Sequence, residues 1–500
     1  MTAPSRPQPV LPASRQWPLH TTAGCRAIEA RAAATLPAHT LMTRAGEAVA
    51  RLALALAPHA RDVEVWCGPG NNGGDGFIAA ALLRAWGKDA RIVLVGDPAR
   101  APDDARQAWR RSREAGVPVV DGLPERVTSD IALDALLGLG VSRALSGPLA
   151  SAVERLNDGG KPILAVDLPS GLDSDTGMVL GVAVRATHTL ALLTLKPGLF
   201  TGHGRDHAGR IWFDDLSVPA ESTSLALAGP ESVRRLSAPR LHAQHKGSFG
   251  DVAVVGGAPG MLGAVWLAAR AALAAGAGRV YACPLDETAP PFDPAHPELM
   301  LRRRWWQQPA PALAAATVVC GCGGGDAVCA ALPPLLSHAG RLVLDADALN
   351  AIAADGAMQA MLATRAGRAL PSVLTPHPLE AARLLGTTTI EVQRDRVGAA
   401  QRLAERFGAT VVLKGSGSVV AAPQALPSIN PTGNALLASA GTGDVLAGWL
   451  GGHWAAAGAG GRQAAVDAVW LHGRAADLAR AGGQQRPFGA AALIDAMRCL

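Results

Sequence analysis

The chain has 500 residues, of which 49% are hydrophobic and 17% charged, with a formal net charge of +5. Its length suggests roughly two to four domains, and the apolar share is large enough to exclude intrinsic disorder as the general state. The positive residues are scattered apart from the short Arg302-Arg303-Arg304 run, which points to small anionic ligands and away from a nucleic-acid-binding stripe.

Residues 1–14 are proline-rich and carry no apolar h-region, so they read as a disordered tail rather than a signal peptide. Short apolar runs at 63–67, 91–95, 117–120, 131–133, 163–167 and 189–193 have the composition of buried strands, and 77–86, 103–115 and 149–157 read as the helices between them. Such alternation predicts a doubly wound parallel sheet. From 218 to 239 the pattern dissolves into Ser, Thr, Ala, Pro and Gly, which places a linker at 219–225 between domains at 15–218 and 226–500. The second domain alternates again, with strands at 252–255, 280–282, 318–320, 342–345, 373–374 and 411–414, a helix at 264–275, and a long apolar helix from about 443. The expected fold class is α/β, in two domains.

Cysteines stand at 25, 67, 283, 320, 322, 329 and 499, without a CxxC pair or the spacing of a zinc site. Reduced thiols in a cytoplasmic protein are expected. No stretch approaches 18 uninterrupted apolar residues, so no membrane span is expected. The expected partners are small molecules and further copies of the chain in a homo-oligomer.

The first candidate site follows the first strand, at Cys67-Gly-Pro-Gly-Asn-Asn-Gly-Gly-Asp-Gly76. Gly68, Gly70 and Gly73 match the dinucleotide fingerprint spacing, with Asp97 ending the next strand. With 57 glycines in the chain that match has little specificity alone. The string Asn71-Asn72-Gly73-Gly74-Asp75-Gly76 has more, because it packs two amides and a carboxylate where an Asx turn capping a helix needs fewer. Ligands of open parallel sheets bind outside the strands' carboxyl ends, so Asp134 and Asp167-Leu-Pro-Ser170, each ending a strand, are expected at the same place. Asn72, Asp134 and Ser170 are hard oxygen donors suited to an alkali or alkaline-earth ion, and Asp167 is a candidate base. Taken singly, each Asp is also a common helix cap.

At these residues the N-terminal half resembles the NAD(P)H-hydrate epimerase family, over about residues 15–218. The resemblance implies a Rossmann-like fold and interconversion of the R and S hydrates of NADH and NADPH (NADHX and NADPHX) at C6 of the nicotinamide ring. It implies a potassium ion held by Asn72, Asp134 and Ser170. Hydrate contacts are implied for Asn71, Asn72, Gly73, Gly74 and Asp75, for Gly138, Leu139, Gly140, Val141, Ser142, Arg143 and Ala144, and for Asp167, the catalytic residue. The chain departs from the family pattern at Thr43, where Glu is usual.

The second half carries His245-Lys-Gly-Ser-Phe-Gly250, Gly256-Gly-Ala-Pro-Gly260-Met-Leu-Gly-Ala264, Lys414-Gly-Ser-Gly-Ser418 and Gly441-Thr-Gly-Asp444. There is no GxxxxGK[ST] string and hence no P-loop. A Gly-Thr-Gly turn opening a helix still offers N–H groups and the helix dipole to a phosphate. A carboxylate beside such an anion hole suits a base, although Asp444 as a plain helix cap fits the pattern as well. His377, wedged between prolines, is held rigidly enough to contact a substrate or is simply satisfied in its loop. Together with Asp345-Ala-Asp347 and Asn430-Pro-Thr-Gly-Asn434, these strings resemble the ADP-dependent NAD(P)H-hydrate dehydratase family, a ribokinase-like branch, over about 226–500. The resemblance implies contacts to the S-hydrate from Ala264, Gly323, His377 and Asp444, with Asp444 catalytic. It implies an adenine-nucleotide site at Lys414, Gly415, Ser416, Gly417, Ser418 and Gly443, with ADP as co-substrate and magnesium. ADP would phosphorylate the C6 hydroxyl, and loss of phosphate would restore the ring double bond, releasing AMP. Departures fall at Gly321-Cys-Gly-Gly-Gly325, where Gly-Pro-Gly-Leu-Gly is usual, and at Leu379, where Gly is usual.

The alternative is a ribokinase-like kinase of vitamin precursors fused to a non-catalytic Rossmann-like module. A kinase would release a stable phosphorylated product, and a non-catalytic module would not be expected to keep Asn72, Asp134 and Ser170 together.

Overall fold

In the computed structural model of the chain, Asp62–Cys67 is a strand buried from Val63 onward, as a parallel strand covered on both faces must be. Alternation sends Val63, Val65 and Cys67 to one face and Trp66 to the other, each into its own apolar cluster. The structure describes residues 6–141, 143–220, 223–233, 241–458 and 460–500. Ser142, residues 1–5 of the expected tail and residues 221–222 of the expected linker lie outside the described residues.

Two units divide between Ala226 and Leu227. In the first, an eight-stranded sheet runs Gln8–Pro9, Arg210–Asp214, His188–Leu192, Ile163–Val166, Ile131–Ala135, Asp62–Cys67, Asp89–Leu94, Val119–Val120. Every pairing is parallel except that of Gln8–Pro9. Sequence order reverses between Asp62–Cys67 and Ile131–Ala135, the switch point where such sheets take ligands.

Two expectations are corrected here. Residues 8–10 of the expected tail are ordered against the sheet: Val10 is fully buried and its N–H donates to the Ile211 carbonyl at 2.9 Å. The prolines that suggested disorder are compatible with an edge strand, which needs no donor on its outer side. The helix expected at 77–86 is Asn71–Ala85, so the glycine-rich string is its opening rather than a preceding loop. Low helix propensity there gives way to close packing: a Cβ on Gly74 would stand 2.6 Å from Met42 Sδ.

In the second unit the order is Met300–Leu301, Arg279–Pro284, Asp251–Gly256, Thr317–Cys320, Arg341–Leu344, Ser372–Leu374, Thr410–Leu413, Val419–Ala421, Ser428–Ile429. Strands are parallel through Thr410–Leu413 and the last two are antiparallel. The switch point lies between Asp251–Gly256 and Thr317–Cys320. The helices Leu262–Ala274 and Thr442–Ala457 cross so closely that a Cβ on Gly448 would stand 2.0 Å from the Ala268 carbonyl, which explains the Ala- and Gly-rich composition of both. Among the described residues no helix is long and apolar enough to cross a membrane.

Candidate active sites

In the first unit a cavity of about 550 Å³ opens at the switch point, lined by Asn71, Asn72 and Asp75, by Gly138, Leu139, Gly140 and Val141, and by Asp167. The turn before the helix is tight: a Cβ on Gly68 would stand 1.8 Å from the Leu136 carbonyl. Gly73 and Gly74 do not line the cavity; they are buried and let the helix pack. Arg143 and Ala144 are exposed and also lie outside the lining.

Asp134 and Ser170 are brought together. Both are fully buried, the Ser170 hydroxyl donates to Asp134 Oδ1 at 2.6 Å, and the Ser170 N–H donates to Oδ2 at 2.8 Å. Burial pushes the Asp134 carboxyl up to about 6, against the pull of these bonds. Asn72 is also buried, and neither atom of its amide has a hydrogen-bond partner. A buried amide without partners is costly unless something else binds it, so this donor set fits a bound cation.

Asp167 takes a left-handed backbone conformation, φ 68°, uncommon for a non-glycine and a mark of a constrained site. Its carboxylate accepts from the Leu192 N–H at 3.1 Å and from the Lys196 ammonium, which is 1% exposed and also donates to the Leu192 carbonyl at 2.7 Å. Sequence reasoning missed Lys196, although a lone lysine directly after the apolar run ending at Leu195 is the signal that would have found it. It also missed Arg26, Glu29 and Asp104 in the cavity wall, which come from the helices Thr22–Thr35 and Asp103–Glu114 and carry no local signature. Burial, then the nearby Asp167 carboxylate, raises both Asp75 and Glu29 above the usual carboxylate range, Asp75 far above it.

In the second unit Asp345, Lys414, Cys322 and Asp444 converge from four strand ends or turns. Lys414 Nζ stands 2.6 Å from Asp345 Oδ1, and the Thr375 hydroxyl donates to the same oxygen at 2.7 Å. Cys322 Sγ and carboxylate oxygens of Asp345 and Asp444 all lie within 4.8 Å of one another, with Lys414 as the cation of the group. The helix N-cap is Gly441, at φ 86°, and Asp444 sits in the first turn with the Cys322 thiol beside it. Burial, then Asp345, pushes Asp444 up to about 6. Behind the turn, buried His472 donates from Nε2 to the Thr442 carbonyl at 3.0 Å, and burial lowers it to about 4, so it stays neutral.

Ala264 and Gly323 are adjacent, since a Cβ on Gly323 would stand 2.8 Å from Ala264 Cβ. His377 is the N-cap of Pro378–Leu385 and accepts from the Leu379 N–H at 3.1 Å, while its ring remains 46% exposed. Gly415 and Ser416 are exposed, Gly417 is buried, and Ser418 Oγ donates to the Gly415 carbonyl at 3.1 Å. Gly443 lies beside Lys414: a Cβ there would meet Nζ at 3.7 Å. Sequence reasoning assigned Cys322 no role.

Fold and sites define a two-domain α/β enzyme, a Rossmann-like unit followed by a ribokinase-like one. Residues 38–198 match the family model described as YjeF-related protein N-terminus, and residues 252–493 match that of NAD(P)H-hydrate dehydratase. The chain is 37% identical to the bifunctional NAD(P)H-hydrate repair enzyme of Escherichia coli K12 over 83% of its length and 80% of that protein's. It is 36% identical to the Coxiella burnetii enzyme of the same name, over 92% and 94%. Among solved structures it resembles an ADP/ATP-dependent NAD(P)H-hydrate dehydratase from Bacillus subtilis, 31% identical, covering 52% of this chain and 91% of that one at a TM-score of 0.45. The chain belongs to the family of bifunctional NAD(P)H-hydrate repair enzymes.

Proposed function

We propose that the first unit interconverts the R and S forms of NADHX and NADPHX at C6, and that the second dehydrates the S form at the expense of an adenine nucleotide. The observation that carries this reading is the junction of Lys414, Asp345 and Asp444 at the opening of the helix Thr442–Ala457. A phosphate at that helix N-terminus meets N–H donors and an ammonium, while Asp444 stands ready to take a proton from an incoming hydroxyl.

In the dehydration step Asp444 removes the C6 hydroxyl proton as that oxygen attacks the terminal phosphorus of ADP. An O–P bond forms, the bridging O–P bond breaks, and AMP leaves. Loss of phosphate from C6, with a proton from C5, restores the ring double bond. Lys414, with Gly415, Ser416, Gly417, Ser418 and Gly443, holds the nucleotide with its magnesium; Ala264, Gly323 and His377 position the hydrate.

In the epimerisation step Asp167 moves the proton on which inversion at C6 depends, and Asn71 and Asp75, which line the same cavity, contact the hydrate. Asn72, Asp134 and Ser170 are the residues that would hold potassium, supported by the partnerless Asn72 amide. Bound there, the ion would supply a fixed positive charge beside the substrate.

Mixed NADHX epimers incubated with ADP or ATP, followed at 340 nm, test the whole reading. Complete recovery of both epimers is expected, with inorganic phosphate released. A stable phosphorylated product would instead favour a kinase. We further assign the chain to the cytoplasm as a homo-oligomer, which fractionation and sedimentation would check.

A further inference from the structure

Cys322 is fully buried in the turn after Thr317–Cys320, and its backbone is clamped from two sides. Its carbonyl accepts from the Gly257 N–H at 2.9 Å, and a Cβ on Gly256 would stand 2.2 Å from that same oxygen. Just before it, Gly321 is at φ 119° and a Cβ there would strike the Asp345 carbonyl at 2.0 Å. The thiol therefore has little room to drift, and its Sγ lies with a carboxylate oxygen of Asp444 and one of Asp345 within 4.8 Å of one another. Burial, then the Asp444 and Asp345 carboxylates, holds its pKa well above the ordinary thiol value, so it is S–H at neutral pH and acts as the donor.

The other charged groups facing Asp444 oppose one another. Burial and the Asp345 and Asp347 carboxylates favour its neutral form, while Lys414 favours the ionised one. Lys414 is already committed to Asp345 at 2.6 Å, with Glu380 at 4.0 Å. Asp345 already accepts from Lys414 and Thr375, which leaves the Cys322 thiol as the neutral donor beside the Asp444 carboxylate.

Resting on the reading of Asp444 as the dehydration base, we propose that Cys322 is its positioning residue, orienting the Asp444 carboxylate through the S–H bond and setting the pH below which the second unit loses its base. A hydrogen bond to a carboxylate favours the ionised form, and losing it shifts titration toward higher pH.

The test uses the full-length protein, S-NADHX and ADP, with kcat/KM from the 340 nm signal measured from about pH 5 to about pH 8, since this quantity reports free-enzyme ionisations. The wild-type acid limb is expected near the Asp444 value of about 6. Cys322→Ala should move that limb up by about half a unit or more, with the high-pH plateau changed far less. Cys322→Ser keeps a donor and should hold the limb at or below the wild-type position. Coincident limbs in wild type and Cys322→Ala overturn the proposal, as does an upward shift in Cys322→Ser matching that of Ala, because the cavity rather than the donor would then govern. Should Cys322→Ala fail to fold, Cys322→Val, which fills the site without a donor, takes its place with the same expected upward shift and the same overturning result. If wild type gives no 340 nm recovery, the dehydratase reading itself fails, an outcome distinct from recovery with unmoved limbs.

Discussion

Lys414 links two parts of the second site: its Nζ stands 2.6 Å from Asp345 Oδ1, and a Cβ on Gly443 would meet the same nitrogen at 3.7 Å. Burial opposes the ammonium, yet the Asp345 and Glu380 carboxylates hold its pKa above the ordinary lysine value. A strand-end carboxylate therefore fixes a cation at the mouth of a helix N-terminus.

Replacing Lys414 by Met should lower kcat/KM for the nucleotide by about 10²–10³, the scale of losing one preorganised donor to a reacting group. It should also destabilise the second unit by about 3–5 kcal/mol, because Asp345 is left charged and buried. Adding Asp345→Asn should recover most of the stability and none of the rate. Calorimetry with the 340 nm assay checks both halves; equal stability of the single and double variants would contradict the pairing.

Asp444→Asn should abolish nucleotide-dependent recovery of NADH while epimerisation continues. The same change should raise stability at neutral pH. The folded carboxyl, at about 6, lies above its ordinary value of 3.8, so the fold disfavours the ionised form. That penalty is absent below pH 3.8 and fully present above about pH 6. The gain in Asp444→Asn is thus expected at pH 7, up to about 3 kcal/mol, and should vanish near pH 4. Denaturant titrations at the two pH values measure it, and a loss of stability at pH 7 would argue that Asp444 supports its helix instead.

Asp167→Asn should slow exchange between R- and S-NADHX by about 10²–10⁴-fold, the usual worth of a placed proton carrier, and leave dehydration of the S form unchanged. Lys196→Met should also impair exchange, since it strips a buried carboxylate of its ammonium. Chromatographic separation of the epimers follows both reactions on one sample, and wild-type exchange in Asp167→Asn would remove its assigned role.

Potassium should stabilise the first unit by mass action, by about 2.7 kcal/mol at a hundredfold excess over Kd. Asn72→Ala should abolish most of that salt-specific gain, while a tetramethylammonium salt should produce none in wild type. Melting curves in matched ionic strength provide the readout without any turnover; an identical response in Asn72→Ala would show that the ion binds elsewhere or not at all.

Local chemistry was legible from the residues alone. Apolar runs bounded by turns located the parallel strands other than Arg210–Asp214 and Met300–Leu301, because a strand buried on both faces tolerates few polar residues. Asn71-Asn72-Gly73-Gly74-Asp75-Gly76 stood out because its polar groups exceed what a turn needs, Asp167-Leu-Pro-Ser170 by its place at a strand end, and Gly441-Thr-Gly-Asp444 by its place at a helix opening. The helix start at Asn71 and the edge strand Gln8–Pro9 were not legible, since glycine and proline propensities point the other way until packing overrides them.

Strand ends dictate which side chains sit near a switch point, and the linear order of residues already carries that much. Distances across the sheet are another matter. The Ser170–Asp134 bond, the Lys196 ammonium on Asp167, and the Cys322 thiol beside Asp444 each join residues from separate strand ends or turns. Their partners are set by strand order and register, and their proton affinities by burial, both of which arise only once the sheet has closed around them.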